Sequence, residues 1–323
     1  MKNSILILQV LVSGLILFFF YQETPIEEVL QALKLTVPAY LGIAILIMSA
    51  NHLVLAQRAK MLTDAQGFRI TLMRILAINF ASQFYKLIFP GGMLALVGAR
   101  VYKLYRIERN AAGALWATFF DRLAATFGLG VVGIVFWFLD PKSENVIGGW
   151  LFFFILFAAG MSSMVLLNER AANTLSTLTS KLPWLSLSRK LNKFVEALAH
   201  FRNASRKQVL TFLTLVMVPH LFGVLLYWLL VEALGISLNV VTLGWMRSVV
   251  TLAIMVPVSI GGLGVRDGML VLLFGLYGVA QESALAFAIL AFLMTVLFPA
   301  IVGGLVELRA MASLGRKGPT EDN

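Results

Sequence analysis

No cysteine occurs in the 323 residues, which excludes disulfides, thiolate nucleophiles and cysteine-held metals. Histidine is nearly as scarce. His52, His200 and His220 stand without a second ligand at metal spacing, so each reads as one polar group satisfied inside a bundle or at an interface. Charge is thin as well, at 13% of residues against about 25% for a soluble domain. Catalytic signatures are missing: no zinc-protease histidine pair, no Gly-Lys-Ser phosphate loop and no Gly-x-Ser-x-Gly elbow occurs. Gly262-Leu263-Gly264 begins like a dinucleotide fingerprint, but Asp267 takes the third glycine's place and no strand precedes it. Paired acids for glycosyl transfer are absent from the short outer loops. The expectation is a chain that is not an enzyme and uses no metal and no cofactor.

What is abundant is apolar surface. Hydrophobic residues make up 59% of the chain and the mean hydropathy is +0.88. Apolar runs recur from end to end, leaving no room for a separate water-soluble domain. A bilayer core of about 30 Å takes about 20 apolar residues as a helix, because no backbone amide can go unpaired in hydrocarbon. Six segments fit, at 4–21, 36–57, 112–139, 147–167, 208–231 and 283–307. The first follows Lys2, and Phe18-Phe19-Phe20-Tyr21-Gln22 offers no small-residue cleavage site, so it is expected to remain as an anchor.

Two further apolar stretches are interrupted. Residues 75–98 contain Pro90-Gly91-Gly92, and residues 243–279 contain Pro257 and Gly261-Gly262-Leu263-Gly264. Proline removes a donor and kinks a helix, and paired glycines let the chain reverse. Each stretch is predicted to form a helical hairpin that enters and leaves by the same face.

The net charge of +10 does not point to nucleic acid, because the cations sit in short loops beside apolar runs, where they set topology and meet anionic headgroups. With Lys2, Arg58 to Arg74, Arg100 to Arg109, 168–207 and 308–323 on one face, that face holds 20 of the 26 lysines and arginines. The other face holds Lys34 and Lys142 beside Glu23, Glu27, Glu28, Asp140 and Glu144. This bias places both termini in the cytoplasm, provided that neither broken stretch crosses.

The order of segments repeats. Span 36–57, the first hairpin and span 112–139 are matched, upside down, by span 208–231, the second hairpin and span 283–307. The wording Pro90…Gly98-Ala99-Arg100 parallels Pro257…Gly264-Val265-Arg266. Inverted repeats with broken helices meeting at mid-membrane are a transporter architecture. The halves run over 36–139 and 208–307, linked by 147–167 and by 168–207. In the latter, Leu191, Phe194, Val195, Leu198 and Phe201 fall at helical spacing, as in a connecting helix on the membrane surface. The tail 315–323 is polar and expected to be disordered.

Charges at membrane depth are costly unless paired or hydrated, so each is a functional candidate. Lys86 lies one turn before Pro90, Arg100 closes the first hairpin, and Asp121-Arg122 lies ten residues into its span. Neighbours on a helix point about 100° apart, so Asp121 and Arg122 are each expected to find other partners. Arg266-Asp267 follows the second glycine turn. The tips at Pro90, Gly91, Gly92, Pro257, Gly261, Gly262 and Gly264 expose backbone amides, and with Arg100, Arg122 and Arg266 they suit a phosphate. The same charges equally suit a salt-bridge network that locks the hairpins, and the glycines suit close helix packing. Arg247 is expected to snorkel to the headgroups.

Three blocks resemble the transmembrane region of lysylphosphatidylglycerol synthases, a flippase-like family with stand-alone members. They are Phe89-Pro90-Gly91-Gly92 leading to Gly98-Ala99-Arg100-Val101-Tyr102, then Asp121-Arg122-Leu123, then Pro257-Val258-Ser259-Ile260-Gly261-Gly262-Leu263-Gly264-Val265-Arg266-Asp267-Gly268. The third is the most specific. In the first, the family's usual aspartate before the arginine is absent. The cytosolic aminoacyl-transferase domain of the full synthases is missing too, so lysyl transfer is not expected. The resemblance implies a flippase-like domain over 1–314 that moves or presents an amphiphilic lipid, anionic or glycan-linked. The partners implied are membrane lipids and a lipid- or glycan-biosynthesis enzyme.

The expected fold is all-α, a polytopic protein of the cell membrane with six spans and two re-entrant hairpins in an inverted repeat. Arg100, Arg122, Arg266 and Lys86 would hold a headgroup, and Asp121 and Asp267 would orient the arginines or couple to protons. Rival readings are a subunit that presents lipid without flipping it, an intramembrane lipid-phosphate transferase, and an ion or small-solute transporter.

Overall fold

The computed structural model describes residues 25–89, 92–142, 205–255 and 262–315, besides the isolated Gly14. Spans 4–21 and 147–167, nearly all of segment 168–207, Pro90, Gly91, Pro257, Gly261 and residues 316–323 lie outside the described residues. Among the described residues all regular structure is helical. Four helical runs are long and apolar enough to cross a membrane: Pro38–Asp64, Ala111–Leu139, Arg206–Ala233 and Gln281–Ala312. They coincide with four of the six predicted spans. Their outward faces carry large apolar side chains such as Leu46 and Phe138, 68% and 74% exposed, as lipid-facing helices must.

A short helix α1 (Ile26–Lys34) comes first. It was not foreseen, being short and charged at both ends, and it buries Val29 against Leu285 and Ala286. Helix α2 (Pro38–Asp64) starts with proline at its first position, where the missing N–H costs nothing. It runs seven residues past the predicted span end. Helices α3 (Leu72–Ile88) and α4 (Met93–Glu108) form the first broken pair. Gly92 has φ +44°, a left-handed value that favours glycine. Helix α5 (Ala111–Leu139) is capped by Asn110, whose side chain accepts from the Gly113 amide at 2.9 Å.

Helix α6 (Arg206–Ala233) begins with a Ser205–Gln208 capping box. Helices α7 (Val240–Ala253) and α8 (Val265–Gly275) form the second broken pair. Helix α9 (Gln281–Phe292) passes through a π turn, Leu293–Leu297, into α10 (Phe298–Gly315). Pro299, which has no N–H to donate, follows directly.

The directions of these helices are fixed by long-range contacts. The Val37 amide at the start of α2 donates to the Ala233 carbonyl at the end of α6, at 2.9 Å. Arg58, near the end of α2, reaches the Leu215 carbonyl near the start of α6. The two helices are therefore antiparallel. The outer ends of the α3–α4 pair lie together, because the Arg69 amide donates to Glu108 at 2.9 Å, beside the Ala111 end of α5. The outer ends of the α7–α8 pair lie together at the other end of α5, where Asp140 accepts hydrogen bonds from Thr242 at 2.8 Å and Tyr277 at 2.7 Å.

Packing follows the same exchange. Helix α3 packs on α10, and α7 packs on α5, so the first arm of each pair rests on the closing helix of the other triplet. Glycine makes both approaches possible. A Cβ at Gly303 would lie 2.0 Å from the Phe80 carbonyl oxygen, and one at Gly244 would lie 2.3 Å from the Phe136 ring. The matching wording around the two arginines is not matched in register. Arg266 is the second residue of α8, whereas Arg100 is the eighth of α4 and does not close its hairpin.

Candidate functional site

Asp121 lies eleven residues into α5 and is 1% exposed. Three guanidinium groups converge on its carboxylate: Arg58 Nε at 2.7 Å, Arg100 Nη1 at 2.8 Å and Arg122 Nη2 at 3.1 Å. Asp121 thus finds partners on α2 and α4 as expected, but it also bonds its own neighbour. Arg58 was counted from the sequence among the loop cations. Because α2 continues to Asp64, Arg58 falls inside the bundle and is 1% exposed. Counting the helix one residue past the predicted span end at 57 would have found it.

Arg122 is held least tightly. Its side chain is 33% exposed, its Nε has no partner among the described residues, and Nη1 reaches the Met93 sulfur at 3.8 Å, at the start of α4. Lys86, in the last turn of α3, is half-buried, and the charged groups that act on it are Arg122 and Arg266. No acid pairs with Lys86 among the described residues.

At the second tip, Gly262 and Gly264 have φ of +84° and +81°. The Gly264 amide donates to Asp267 Oδ2 at 2.8 Å, and Arg266 donates to Asp267 Oδ1 at 2.7 and 3.1 Å. Asp267 therefore caps α8 and orients the arginine at once. The Arg266 guanidinium also lies 5.0 Å from the centroid of the Phe292 ring, a cation–π distance, at the residue before the π turn. Lys86, Arg122 and Arg266 come from three elements, α3, α5 and α8, and both arginines lie within electrostatic reach of the lysine.

Arg247 departs from the sequence expectation. It does not snorkel to the surface. Its guanidinium lies against α6, where a Cβ on Gly223 would meet it at 2.2 Å, and Nη1 is buried without a partner among the described residues. Glycine at 223 provides the space that the arginine occupies.

Two features were not visible in the sequence. A groove of about 940 Å³ opens between α3, α4 and α10. Arg74 and Arg106 line one end, Phe89 and Ala95 the tip end, and between them Lys103 pairs with Glu307. Glu307 is 7% exposed inside an apolar run, and the signal that could have found it is an acid within a predicted span. The second feature is Asp140, whose Oδ2 accepts from Thr242, Trp245 and Tyr277. Burial raises and these donors lower the affinity of its carboxyl for protons, and the donors win, so it titrates below its ordinary value. Burial and the adjoining carboxylate push the Tyr277 hydroxyl up. No group of three or more potential metal ligands occurs among the described residues.

Lipid-exposed apolar helices around a charge-bearing interior define a multi-pass helical membrane protein. Residues 6–303 match the lysylphosphatidylglycerol synthase TM region family, and the chain belongs to that family. It is also similar to the UPF0104 membrane protein MJ1595 of Methanocaldococcus jannaschii, at 20% identity over 333 residues, covering 98% of this chain and 97% of that protein.

Proposed function

We propose that this protein moves an amphiphilic lipid with an anionic headgroup between membrane leaflets. The observation that carries this reading is the meeting of Lys86, Arg122 and Arg266. Lys86 has no acid partner among the described residues, and Arg122 has unused donor capacity. Unneutralised cations at membrane depth are unfavourable unless hydrated or met by an anion. A phosphate entering between the two tips supplies that anion, and the Gly92 and Gly264 turns bring backbone close to it. The groove between α3, α4 and α10 gives acyl chains a place beside the bundle while the headgroup passes inside.

In this reading the two broken pairs are re-entrant hairpins of an inverted repeat. The antiparallel course of α2 and α6 supports it, as does the clustering of each pair's outer ends at opposite ends of α5. The end carrying Arg69, Arg106 and Arg109 faces the cytoplasm by the positive-inside rule. The chain acts as a transporter rather than an enzyme. Asp121 and Asp267 fix the arginines, and the energy comes from a gradient or from downstream consumption of the lipid.

The test is purified protein in vesicles holding a headgroup-labelled anionic phospholipid and an impermeant quencher outside. Wild-type protein makes protected lipid accessible, and Lys86→Ala, which breaks no ion pair among the described residues, folds but does not. Normal movement in Lys86→Ala rejects the assignment. Formation of a new lipid product would favour a transferase. Ion flux without lipid movement would favour a solute transporter.

A further inference from the structure

We infer that Arg247 forms a second station for the headgroup, farther toward the Asp140 face than Arg122. This rests on the reading that an anionic headgroup passes inside the bundle. Arg247 is the eighth residue of α7, and its guanidinium lies over Gly223, the eighteenth of α6. At about 1.5 Å per residue, Gly223 lies about 26 Å from the Arg206 end of α6. Arg122, the twelfth residue of α5, lies about 17 Å from the Ala111 end. Those ends share a face, because α2 runs antiparallel to α6 and its far end leads through α3 and α4 to Ala111. The two ends are not level, because Phe212 of α6 packs on Phe120 of α5, so Arg122 stands level with about Thr214 and Gly223 lies about 14 Å farther along the bundle.

The surroundings of Arg247 point to a ligand rather than to a structural ion pair. No carboxylate bonds it among the described residues, and its buried Nη1 is unpartnered. Tyr227, one turn along α6 from Gly223, is within electrostatic reach of Arg247, Arg266 and Asp267. His220, on the same helix, is in reach of Arg247 and Arg58. Arg247 thus lies on α7 against Gly223 of α6, with a buried donor to spare. A guanidinium presents a planar fork that matches a phosphate bidentately. A headgroup released by Lys86 and Arg122 meets Arg247 next on its way to the Asp140 face.

Gly223 makes the inference testable without removing the charge. The atoms nearest an alanine Cβ there all belong to the far end of the flexible Arg247 side chain, and alanine favours the helix. The experiment compares wild type, Arg247→Ala, Gly223→Ala, Arg247→Lys and Lys86→Ala, checked for helix content and thermal midpoint. One readout is equilibrium binding of a headgroup-labelled anionic phospholipid, and the other is its movement across vesicles. Arg247→Ala and Gly223→Ala should bind the lipid within about twofold of wild type but move it at least about tenfold more slowly. Arg247→Lys should fall between, and Lys86→Ala should lose both.

Wild-type movement in Arg247→Ala and Gly223→Ala removes Arg247 from the path. Loss of binding in both variants, as in Lys86→Ala, makes the path a single site and overturns the second station. Wild-type protein that neither binds nor moves the lipid overturns the parent reading and this one together.

Discussion

Arg58 and Asp121, 63 residues apart in sequence, meet at 2.7 Å with both side chains nearly sealed from solvent. That contact joins α2 to α5, and Arg100 brings α4 to the same carboxylate. The three guanidiniums do not contribute alike. Arg58 and Arg100 are buried, whereas Arg122 is a third exposed and keeps free donor capacity.

Removing the shared carboxylate strands buried cations. Asp121→Ala should therefore cost about 3–5 kcal/mol of stability. Arg122→Ala, which gives up a partly exposed ion pair and the weak contact with the Met93 sulfur, should cost less, about 1 kcal/mol. Denaturant unfolding in detergent measures both. Equal costs would place Arg122 in the scaffold and not at the ligand.

Lys86 offers the converse case. Functional sites hold groups that the fold alone would not choose. Lys86→Met removes an ammonium surrounded by like charge, so the thermal midpoint should rise, by about 1 kcal/mol in stability terms, while lipid movement falls. A lowered midpoint would mean that Lys86 holds the structure together.

Much of this was legible in the sequence because spans and breaks are written in composition. The four spans seen begin within two residues of their predicted starts, and both broken stretches break at their glycines. The pairing at the helix ends was not legible. Arg58 and Glu307 sit where an apolar run yields to charge, and their partners Asp121 and Lys103 come from other helices that only tertiary packing brings near. Arg247 was misread because its position beside Gly223 depends on a tertiary contact between α6 and α7. The clamp at Asp140 likewise joins residues more than one hundred positions apart.

Close packing of α3 on α10 gives a third prediction. Gly303→Ala places a methyl 2.0 Å from the Phe80 carbonyl oxygen, and backbone cannot step aside cheaply. A loss of about 1–3 kcal/mol is expected. Gly98→Ala, with open space around its Cβ position, should be neutral or slightly stabilising. Unfolding midpoints of the pair check the contrast.

Asp140 sets a pH dependence. Its carboxyl titrates below its ordinary value in the folded protein, so its stabilisation is complete above the unfolded value of about 3.9 and is lost as pH falls through the folded one. Asp140→Ala should cost about 1.5–3 kcal/mol at neutral pH. The gap to wild type should stay level down to about pH 5 and close only under about pH 4. A gap that changes between pH 6 and 8 would assign the titration to another group.

The measurement that bears most directly on the account is single-cysteine labelling from each side of the membrane, in a chain that has no cysteine of its own. Arg69→Cys and Arg106→Cys flank or end the first broken pair, and Ser237→Cys and Ala280→Cys flank the second; all four positions are exposed. Impermeant reagent should reach the first two from one side only and the last two from the other side only. Labelling of the two ends of either pair from opposite sides would contradict the account, since that pair would then cross the bilayer and would not be a re-entrant hairpin.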